Sequence, residues 1–396
     1  MANTVLTPTA VTREILRVLH QKANFIGTIN REYDDSFAKE GAKIGTSLKV
    51  RLPNQYTVTT GAVLNAQDTT ESSVTMTVAT QKHVGMNFSS NELTMSLDDF
   101  SRRIIEPAVS VLVASVENDI ISNVYKDVYN VVDNAGSAAT YAKVLEAEAR
   151  LHKSLAPMGD RAAMLHTQAH ADMLSAWSTL FNDSKEISSQ YKTGKIGTAI
   201  GFDFYRSTHL PIHTTGTETG TTFAVNGANQ TGASVTVTNG SSKTLVAGDV
   251  VTFAGCNRVH PETKANTGEL QRFVVTSAVS SSGTSIAISP SIVTSGATQN
   301  VSASPDDSGT VTKLLGGASS ATDTSLLYHK DAFAFTTADL VMPKGVDFAA
   351  RENLDGVSLR LVRQYDINND KFPCRLDILY GYKTIRPELA VRLHNN

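Results

Sequence analysis

The stretch SLKVRLPNQYTVTTGAVLNAQDTTESSVTMTVATQKHVGMNFS, from Ser47 to Ser89, decides the fold class of this chain. Apolar and polar residues alternate over residues 48–52, 74–78 and 84–88, and a period of two predicts β-strands. Residues 53–73, between the first two runs, are rich in Thr, Gln and Asn and carry no apolar stripe. We therefore expect three strands and, between the first two, a long projecting loop or ribbon of the kind that is usually functional or disordered.

A helical pattern follows the third strand. Residues 96–129 carry apolar side chains near i, i+4 spacing, and they predict a helix long enough to cross a whole domain. Pro107 lies inside this pattern. Because proline lacks a backbone donor, it is expected either to kink the helix or to mark its true start.

Shorter elements alternate after the long helix. Helices are predicted over residues 142–155 and 168–181, with Thr167 as the N-cap of the second, and a short buried strand is predicted over 162–166. Near the N-terminus, residues 9–22 form an amphipathic helical pattern. This helix either packs on its own domain or acts as an arm that docks on a neighbouring subunit.

The composition changes abruptly after Pro211. Residues 213–323 are crowded with Thr, Ser, Gly and Val in short alternating runs, and earlier patterns return from Ser325, with strands over 356–364 and 374–380. Short strands separated by turn signals are typical of a small β-barrel or sandwich. Because the composition changes at residue 213 and the earlier pattern resumes at residue 325, the segment between them is interpreted as an insertion into a larger domain. The sequence therefore predicts an α+β protein with an inserted all-β domain.

Length and charge exclude several classes. The chain has 396 residues, enough for two to three domains, and 18% charged residues, below the usual fraction of about 25%. A net charge of −3 excludes affinity from a strongly basic face, although weak contact with nucleic acid stays open. Two distant cysteines form no disulfide framework, and the absence of a signal-peptide pattern and of a membrane span predicts a soluble, cytoplasmic product.

Chemical motifs are sparse. His166 and His170 are four residues apart but lack a zinc-protease pattern, and the glycines at 194, 197 and 201 have neither Rossmann nor P-loop spacing. Acid pairs at 34–35, 98–99 and 306–307 lie where capping explains them. We therefore predict no catalytic residues, no cofactor-binding residues and no metal site.

Four arginines are spread through the last part of the chain without interleaved aromatic residues. They are Arg351, Arg360, Arg363 and Arg386. This pattern favours ion pairs between subunits over a surface that reads bases.

The order of these elements resembles the major capsid proteins of tailed bacteriophages of the P22 coat protein family. Residues 47–53, 73–79 and 82–89 are similar to that family's β-ribbon, and 247–255 with 273–277 and 285–290 to its inserted β-barrel. The segments LYHKDAFAF (327–335) and RLDILYGYKTIRPE (375–388) resemble its C-terminal strands. The similarity covers most of the chain, and the shared order of elements carries it.

The resemblance implies an HK97-type capsid fold with an N-terminal arm, an extended loop, a peripheral domain with a long spine helix, an axial domain and an insertion domain. The implied segments are the arm at 1–46, the loop at 47–95, the first part of the peripheral and axial domains at 96–212, the inserted barrel at 213–323 and their second part at 324–396. Such subunits form pentamers and hexamers of an icosahedral head around double-stranded DNA. They are made in the bacterial host cytoplasm and reside in the virion.

The resemblance also implies partners. Besides copies of itself, the subunit is expected to meet a scaffolding protein and a portal, a decoration protein in some shells, and packaged DNA weakly, but no membrane. The candidate assembly contacts are Lys49, Arg51, Lys82, Arg258, Glu262, Lys264 and Glu269. The charged loop at 257–270 could face a partner, or it could be a solvated loop on the barrel.

Two other classes stay open on the residues alone. The Thr- and Ser-rich insertion could belong to an extracellular binding or adhesin module, although it lacks the exposed Trp or Tyr that a carbohydrate-binding face needs. An enzyme with a scattered site is the third class, and it would form a small oligomer and no megadalton shell.

Overall fold

The computed structural model describes residues 8–31, 47–64, 66–68, 71–89, 105–177, 196–220, 222–239, 242–354, 356–369 and 371–395. The chain forms two compact units. The first comprises the described residues of Met1–Arg51, Ser73–Ile120 and Phe333–Ile385, and the second those of Leu52–Ser72, Ile121–Ala332 and Arg386–Asn396.

The described residues contain both helices and strands. The α-helices are α1 (Pro8–Lys22), α2 (Phe25–Thr28), α3 (Glu106–Val124), α4 (Tyr141–Lys153) and α5 (Thr167–Trp177). The strands are β1 (Ser47–Arg51), β2 (Ser73–Thr77), β3 (Thr80–Ser89), β4 (Val131–Asp133), β5 (Arg161–His166), β6 (Thr198–Ala199), β7 (Phe202–Ser207), β8 (Ile212–Thr214), β9 (Phe223–Val225), β10 (Gly232–Asn239), β11 (Val250–Val259), β12 (Asn266–Val275), β13 (Ser285–Ile292), β14 (Thr310–Lys313), β15 (Ala321–His329), β16 (Phe333–Thr337), β17 (Phe348–Leu354), β18 (Val357–Arg363), β19 (Lys371–Thr384) and β20 (Ala390–Asn395).

The first unit is organised by the long strand β19. It pairs with β3, β18 and β16, and β17 completes this five-stranded sheet. The predicted strands of the opening stretch are present: β1 and β2 form an antiparallel hairpin, and β3 runs antiparallel along β19. Val50, which lies opposite Val74, and Met76, which lies opposite Leu48, are buried, so one face of the hairpin belongs to the core.

The helix α1 packs against β17 and β18 of the same unit. Its apolar side chains Ile15, Leu16, Val18 and Leu19 are all at most 2% exposed. Burying four such side chains contributes several kcal/mol, at about 1.5–3 kcal/mol each. The first of the two interpretations of this helix, packing on its own domain, is therefore the arrangement in the isolated subunit.

The predicted long helix is present and is described as α3 from Glu106, with Pro107 near the start of the described part. Residues 96–104 of the predicted span lie outside the described residues. At its C-terminal end, α3 stops at Val124 and a 3₁₀ turn continues to Asp127.

The second unit contains a seven-stranded mixed sheet in the order β4, β20, β15, β5, β7, β6, with β8 paired to β15. The predicted buried strand is β5, of which residues 161–165 are buried. The predicted helices are α4 and α5, and residues 178–181 of the second prediction lie outside the described residues. Among the helices of the described residues, none is long and apolar enough to cross a membrane.

A closed six-stranded barrel also belongs to the second unit. Its strands close in the order β10, β13, β12, β11, β14, β9. The three aromatic residues of this segment, Phe223, Phe253 and Phe273, lie in its buried core, where the rings of Phe253 and Phe273 are 5.4 Å apart. The strands that flank the barrel in sequence, β8 and β15, pair with each other, with His213 opposite Thr322.

Candidate assembly surfaces and the root of the barrel

The loop at residues 52–72 joins β1 to β2 and is ordered by its own polar contacts. The Leu52 amide donates to the Ser72 carbonyl at 2.9 Å, where the loop leaves the hairpin. Farther out, Gln67 Oε1 accepts from the Thr57 amide at 2.9 Å, and Gln67 Nε2 donates to the Thr57 carbonyl. The Gln67 side chain therefore satisfies both the amide and the carbonyl of Thr57, as the backbone of a paired strand would.

Exposed apolar side chains cluster in the part of this loop beyond the Thr57–Gln67 contact. Val58, Val63 and Leu64 are 97%, 86% and 89% exposed. Large apolar side chains with this exposure are typical of surfaces that another protein covers. The sequence analysis missed them because they do not form a periodic stripe; the run Ala62-Val-Leu64 within a polar segment was the available signal.

The three predicted assembly residues near the hairpin have different environments. Lys49 and Arg51 lie on the exposed face of β1, alternating with buried Val50. Lys82 on β3 instead contacts α3, where its Nζ donates to the Ser115 carbonyl at 2.7 Å and to Ser115 Oγ at 3.0 Å. The structure thus places Lys49 and Arg51 where another subunit could reach them and gives Lys82 a partner in its own unit.

The charged loop of the barrel contacts the C-terminal end of α4. Arg258 Nη2 donates to the Lys153 carbonyl at 2.8 Å and lies 3.3 Å from Ser154 Oγ, and Lys153 Nζ forms an ion pair with Glu269. A cation near the last carbonyls of a helix is stabilised by the helix dipole. These two barrel residues therefore hold the β11–β12 hairpin to α4 within one subunit.

The other two charged residues of this loop lie toward its turn. Lys264, which has a positive φ of 57°, donates from Nζ to the Gln299 carbonyl at 3.2 Å. Glu262 is exposed at the turn. Of the four predicted residues in this loop, Glu262 and Glu269 are exposed, and Glu269 is paired with Lys153.

A buried polar cluster lies where the barrel joins the seven-stranded sheet. The Asp249 carboxylate is fully buried and accepts hydrogen bonds from the Gly216 and Val246 amides at 3.1 and 2.9 Å. It also accepts from His213 Nε2 at 3.0 Å, while His213 Nδ1 lies 3.3 Å from the Tyr125 hydroxyl. Since a carboxylate only accepts, the geometry assigns His213 as neutral with its proton on Nε2 and with Tyr125 as donor to Nδ1.

Two residues of β20 complete this cluster. Arg392 is fully buried, donates to the Gly248 carbonyl at 2.8 Å and lies over the Tyr125 ring at 5.7 Å. His394 Nδ1 is 2.9 Å from Thr322 Oγ1, and its ring packs edge-on against His213 at 5.8 Å. We name these five side chains, Tyr125, His213, Asp249, Arg392 and His394, the root cluster.

Burial dominates the acid–base properties of the root cluster. It lowers the pKa of His213 despite the hydrogen bond that His213 donates to Asp249, which raises that pKa, and it lowers the pKa of His394 well below the ordinary histidine value. Burial also lowers the pKa of Arg392 to about 10, a value at which the guanidinium stays charged at neutral pH. Arg392 in turn disfavours protonation of both histidines by charge repulsion.

The four arginines singled out by the sequence form ion pairs within the chain. The pairs are Arg351 with Asp339 (3.2 Å), Arg360 with Asp377 (2.7 Å), Arg363 with Asp347 (2.9 Å) and Arg386 with Glu388 (2.8 Å). Each of the four arginines therefore has an acidic partner in its own chain, and pairing between subunits stays a prediction. Their acidic partners lie on adjacent strands or turns, which the sequence pattern did not reveal.

The motifs considered for chemistry have structural partners. His166 Nδ1 lies 2.6 Å from Asp323 Oδ2, and within the described ranges no group of three or more His, Cys, Asp or Glu side chains could hold a metal ion. Asp307 accepts from the Gly227 amide at 2.8 Å, as expected of a turn residue. Burial raises the pKa of Cys256 and of Cys374 to about 12, so both thiols stay protonated. The acid pairs at 34–35 and 98–99 lie outside the described residues.

Solved structures that are similar to this chain include proteins of phage particles. The chain is similar to a structure from Mycobacterium phage Che8, with 12% identity, a TM-score of 0.49, and coverage of 94% of this chain and 90% of that one. It is similar to the capsid structure of the cyanophage P-SCSP1u, with 10% identity, a TM-score of 0.45 and coverage of 89% and 84%. The CUS-3 coat protein I-domain is 31% identical over 24% of this chain and 95% of that chain, with a TM-score of 0.19. A search of curated proteins found no match.

The match of a coat protein family model to most of the chain places this protein in the class of structural shell proteins. The family model described as P22 coat protein, gene protein 5, matches residues 37–394, and the chain belongs to the P22 coat protein family. It is a structural major capsid protein of a bacteriophage, it assembles with copies of itself, and its place is the capsid of the virion. The resemblance inferred from the sequence is thereby confirmed.

Proposed function

We propose that this subunit has the HK97-type arrangement and assembles into the pentamers and hexamers of an icosahedral phage head around double-stranded DNA. The observation that carries the proposal is the match of the P22 coat protein family over residues 37–394. On this proposal the chain acts through its contacts with neighbours and has no catalytic role.

The segments of the chain take the roles of that arrangement. Residues 1–46 are the arm, 47–95 the extended loop, 96–212 and 324–396 the two parts of the peripheral and axial domains, and α3 the spine helix. The barrel within 213–323 is an insertion. The pairing of β8 with β15 supports the insertion, because the chain leaves the seven-stranded sheet and re-enters it at adjacent positions.

The loop at 52–72 lies over a neighbouring subunit in the shell. Its exposed Val58, Val63 and Leu64 supply apolar area for that contact. Each such contact is modest, but a subunit in a closed shell makes many of them at once, and linked contacts strengthen one another. A mostly polar subunit therefore forms a stable container.

The predicted charged residues are proposed contacts of this assembly. Lys49 and Arg51 on the hairpin and Glu262 on the barrel are exposed. Lys82, Arg258, Lys264 and Glu269 have partners in their own chain, so they would contribute to assembly by fixing the surfaces that carry the contacts. Neighbouring copies are the main partner.

Other partners follow from the same proposal. A scaffolding protein and a portal act during assembly in the host cytoplasm, where the subunit is made, and a decoration protein is a further partner. Packaged DNA is a weak partner on this proposal: the net charge of −3 leaves such contact open and argues against a strongly basic inner face made by the whole subunit.

Negative-stain electron microscopy tests the proposal. The subunit is expressed alone and then with its candidate scaffolding partner, and each product is separated by size. Closed shells or open tubular assemblies are expected in at least one condition. A uniform small particle in both conditions would overturn the proposal and favour a binding module or an enzyme.

A further inference from the structure

Glu117 of α3 is a buried carboxyl group that contacts the backbone of the N-terminal segment. Its side chain is 2% exposed, and its Oε1 accepts from the Phe25 amide at 2.7 Å and from the Ile26 amide at 3.3 Å. The amide of Asn24 also faces this carboxyl and favours its charged form. One side chain of the long helix therefore anchors the backbone directly after α1.

The neighbouring charged groups are engaged elsewhere. On α1, Arg17 pairs with Glu14 at 2.6 Å, and Arg13 lies 3.9 Å from Glu352 of β17. On α3, Asp119 accepts from the Tyr380 hydroxyl at 2.7 Å. The groups that act on the Glu117 carboxyl are the backbone amides of Asn24, Phe25 and Ile26.

Burial of a carboxylate is costly, and the three amides offset only part of that cost. Burial raises the pKa of Glu117 from its ordinary value of 4.5 to about 7, against the effect of the amides, which lower it. The docked segment therefore binds the proton more tightly than a solvated Glu117 would.

We propose that Glu117 is a proton-dependent latch that holds residues 24–26, and with them the helix α1, on the long helix of the subunit. The neutral carboxyl holds the segment tightly. The ionised carboxyl holds it weakly, so the segment opens more often. Opening is confined to the residues before Asn30, because Asn30 is bound to β16 through its amide and the Phe333 carbonyl at 3.2 Å and through its carbonyl and the Phe335 amide at 3.0 Å.

The direction of the pH dependence follows from linkage. The docked pKa is higher than the undocked one, so docking is strongest below pH 4.5 and weakens as the pH rises to about 7, above which it stays constant. The opening constant rises about tenfold per pH unit inside this window. At neutral pH the latch is therefore near its weak state, and mild acidification tightens it.

The latch goes beyond the proposed function, since it is a property of the single subunit. Hydrogen exchange of the unassembled subunit tests it, read as protection factors of the Phe25 and Ile26 amides, which already remove the intrinsic pH dependence of exchange. In the wild type these factors should fall by roughly tenfold or more between pH 5 and pH 8. Glu117→Gln keeps the acceptor oxygen but cannot ionise, so its protection should stay constant with pH and exceed that of the wild type at pH 8.

Asp119→Asn is the matched control, because it neutralises a carboxyl of the same helix that bonds Tyr380 instead of the arm; it should keep the wild-type response. A wild-type protein whose protection does not change with pH, or a Glu117→Gln variant that follows the wild type, would overturn the latch. The result is separable from the shell experiment. A latch without shells would contradict only the proposed assembly role, and shells without pH-dependent protection would contradict only the latch.

Discussion

His213 Nε2 lies 3.0 Å from Asp249 Oδ1, and this buried contact joins residues that are 36 positions apart in the chain. His213 belongs to β8 of the seven-stranded sheet, and Asp249 directly precedes β11 of the barrel. The two backbone amides that also donate to Asp249 come from the connecting segments on either side. This buried carboxylate therefore ties the barrel to its sheet, together with the contact of Arg392 with the Gly248 carbonyl.

Replacement of Asp249 by asparagine should destabilise the subunit by about 2–4 kcal/mol. Asparagine has one acceptor oxygen and an NH₂ group, and that NH₂ group would face one of the N–H donors that now bind the carboxylate. Urea unfolding measures the change. Asp307→Asn is the matched control, since Asp307 accepts one amide hydrogen bond at an exposed turn and should cost no more than about 1 kcal/mol. Equal costs for the two variants would contradict the role of Asp249.

The two histidines of the root cluster predict sensitivity to acid. Burial lowers the pKa of both His213 and His394, so the folded state binds protons less tightly than the unfolded state does. The stability that they contribute is complete above pH 6.5 and is lost as the pH falls below it. Glu117 acts in the opposite direction over pH 4.5–7, so the two effects must be separated by variants.

His213→Gln keeps an N–H donor for Asp249 and removes one titrating group. Thermal unfolding at pH 7 and pH 5 should show a loss of Tm in the wild type that is smaller in this variant. The control is His152→Asn, which changes an exposed histidine of α4. A wild-type loss of Tm that His213→Gln leaves unchanged would refute the assignment.

In the first unit, the backbone of β19 at Gly381 lies so close to the end of β2 that a side chain at this position should destabilise the subunit. A Cβ at Gly381 of β19 would lie 2.3 Å from the Thr77 carbonyl oxygen, which is backbone and cannot rotate away. Gly381→Ala should therefore cost about 1–3 kcal/mol and displace β2. Gly85→Ala on β3, where a Cβ would meet nothing within 4 Å, should be close to neutral. The free energy of unfolding of both variants distinguishes a specific contact from a general intolerance of this sheet.

The sequence predicted those features that depend on local patterns. Alternation gave the strands of the hairpin, a short apolar run gave the buried strand β5, and the change of composition gave the barrel. These predictions succeeded because neighbours within a few residues determine helix and strand periodicity.

The polar contacts were not predictable in this way. Arg360 pairs with Asp377 because β18 and β19 are adjacent and place the two residues directly opposite each other, a register that the sequence pattern did not specify. The root cluster likewise joins β8, the residue before β11, and β20. Its members become neighbours only when two sheets have formed, so their separate positions in the sequence carried no signal.

Charge reversal tests the contact between the barrel and α4. Lys153→Glu and Glu269→Lys should each lower stability by at most about 1 kcal/mol, because the pair is half exposed, and the double variant should recover the loss. Glu262→Lys, at the exposed turn of the same loop, should leave the free energy of unfolding unchanged and reduce the yield of shells. If Glu262→Lys assembles like the wild type, Glu262 is not an assembly contact.

The exposed apolar residues of the loop allow the sharpest test of assembly. Val63→Asp and Leu64→Asp alter side chains that are 86% and 89% exposed, so neither should change the unfolding of the isolated subunit. On the proposed function a neighbour covers the same side chains in a shell, where an aspartate buried without a partner would cost several kcal/mol at every copy of the contact. Electron microscopy should then show unassembled subunits or aberrant particles.

Thr59→Asp places the same charge on the same loop at an exposed position that was polar before. This control should assemble nearly as well as the wild type, because a polar residue at the rim of a contact stays hydrated. If all three aspartate variants form normal shells, the apolar part of the loop is not covered in the assembly. If all three fail equally, negative charge and not the loss of apolar contact explains the failure. Only failure of the two apolar positions together with assembly of Thr59→Asp assigns the contact to Val63 and Leu64.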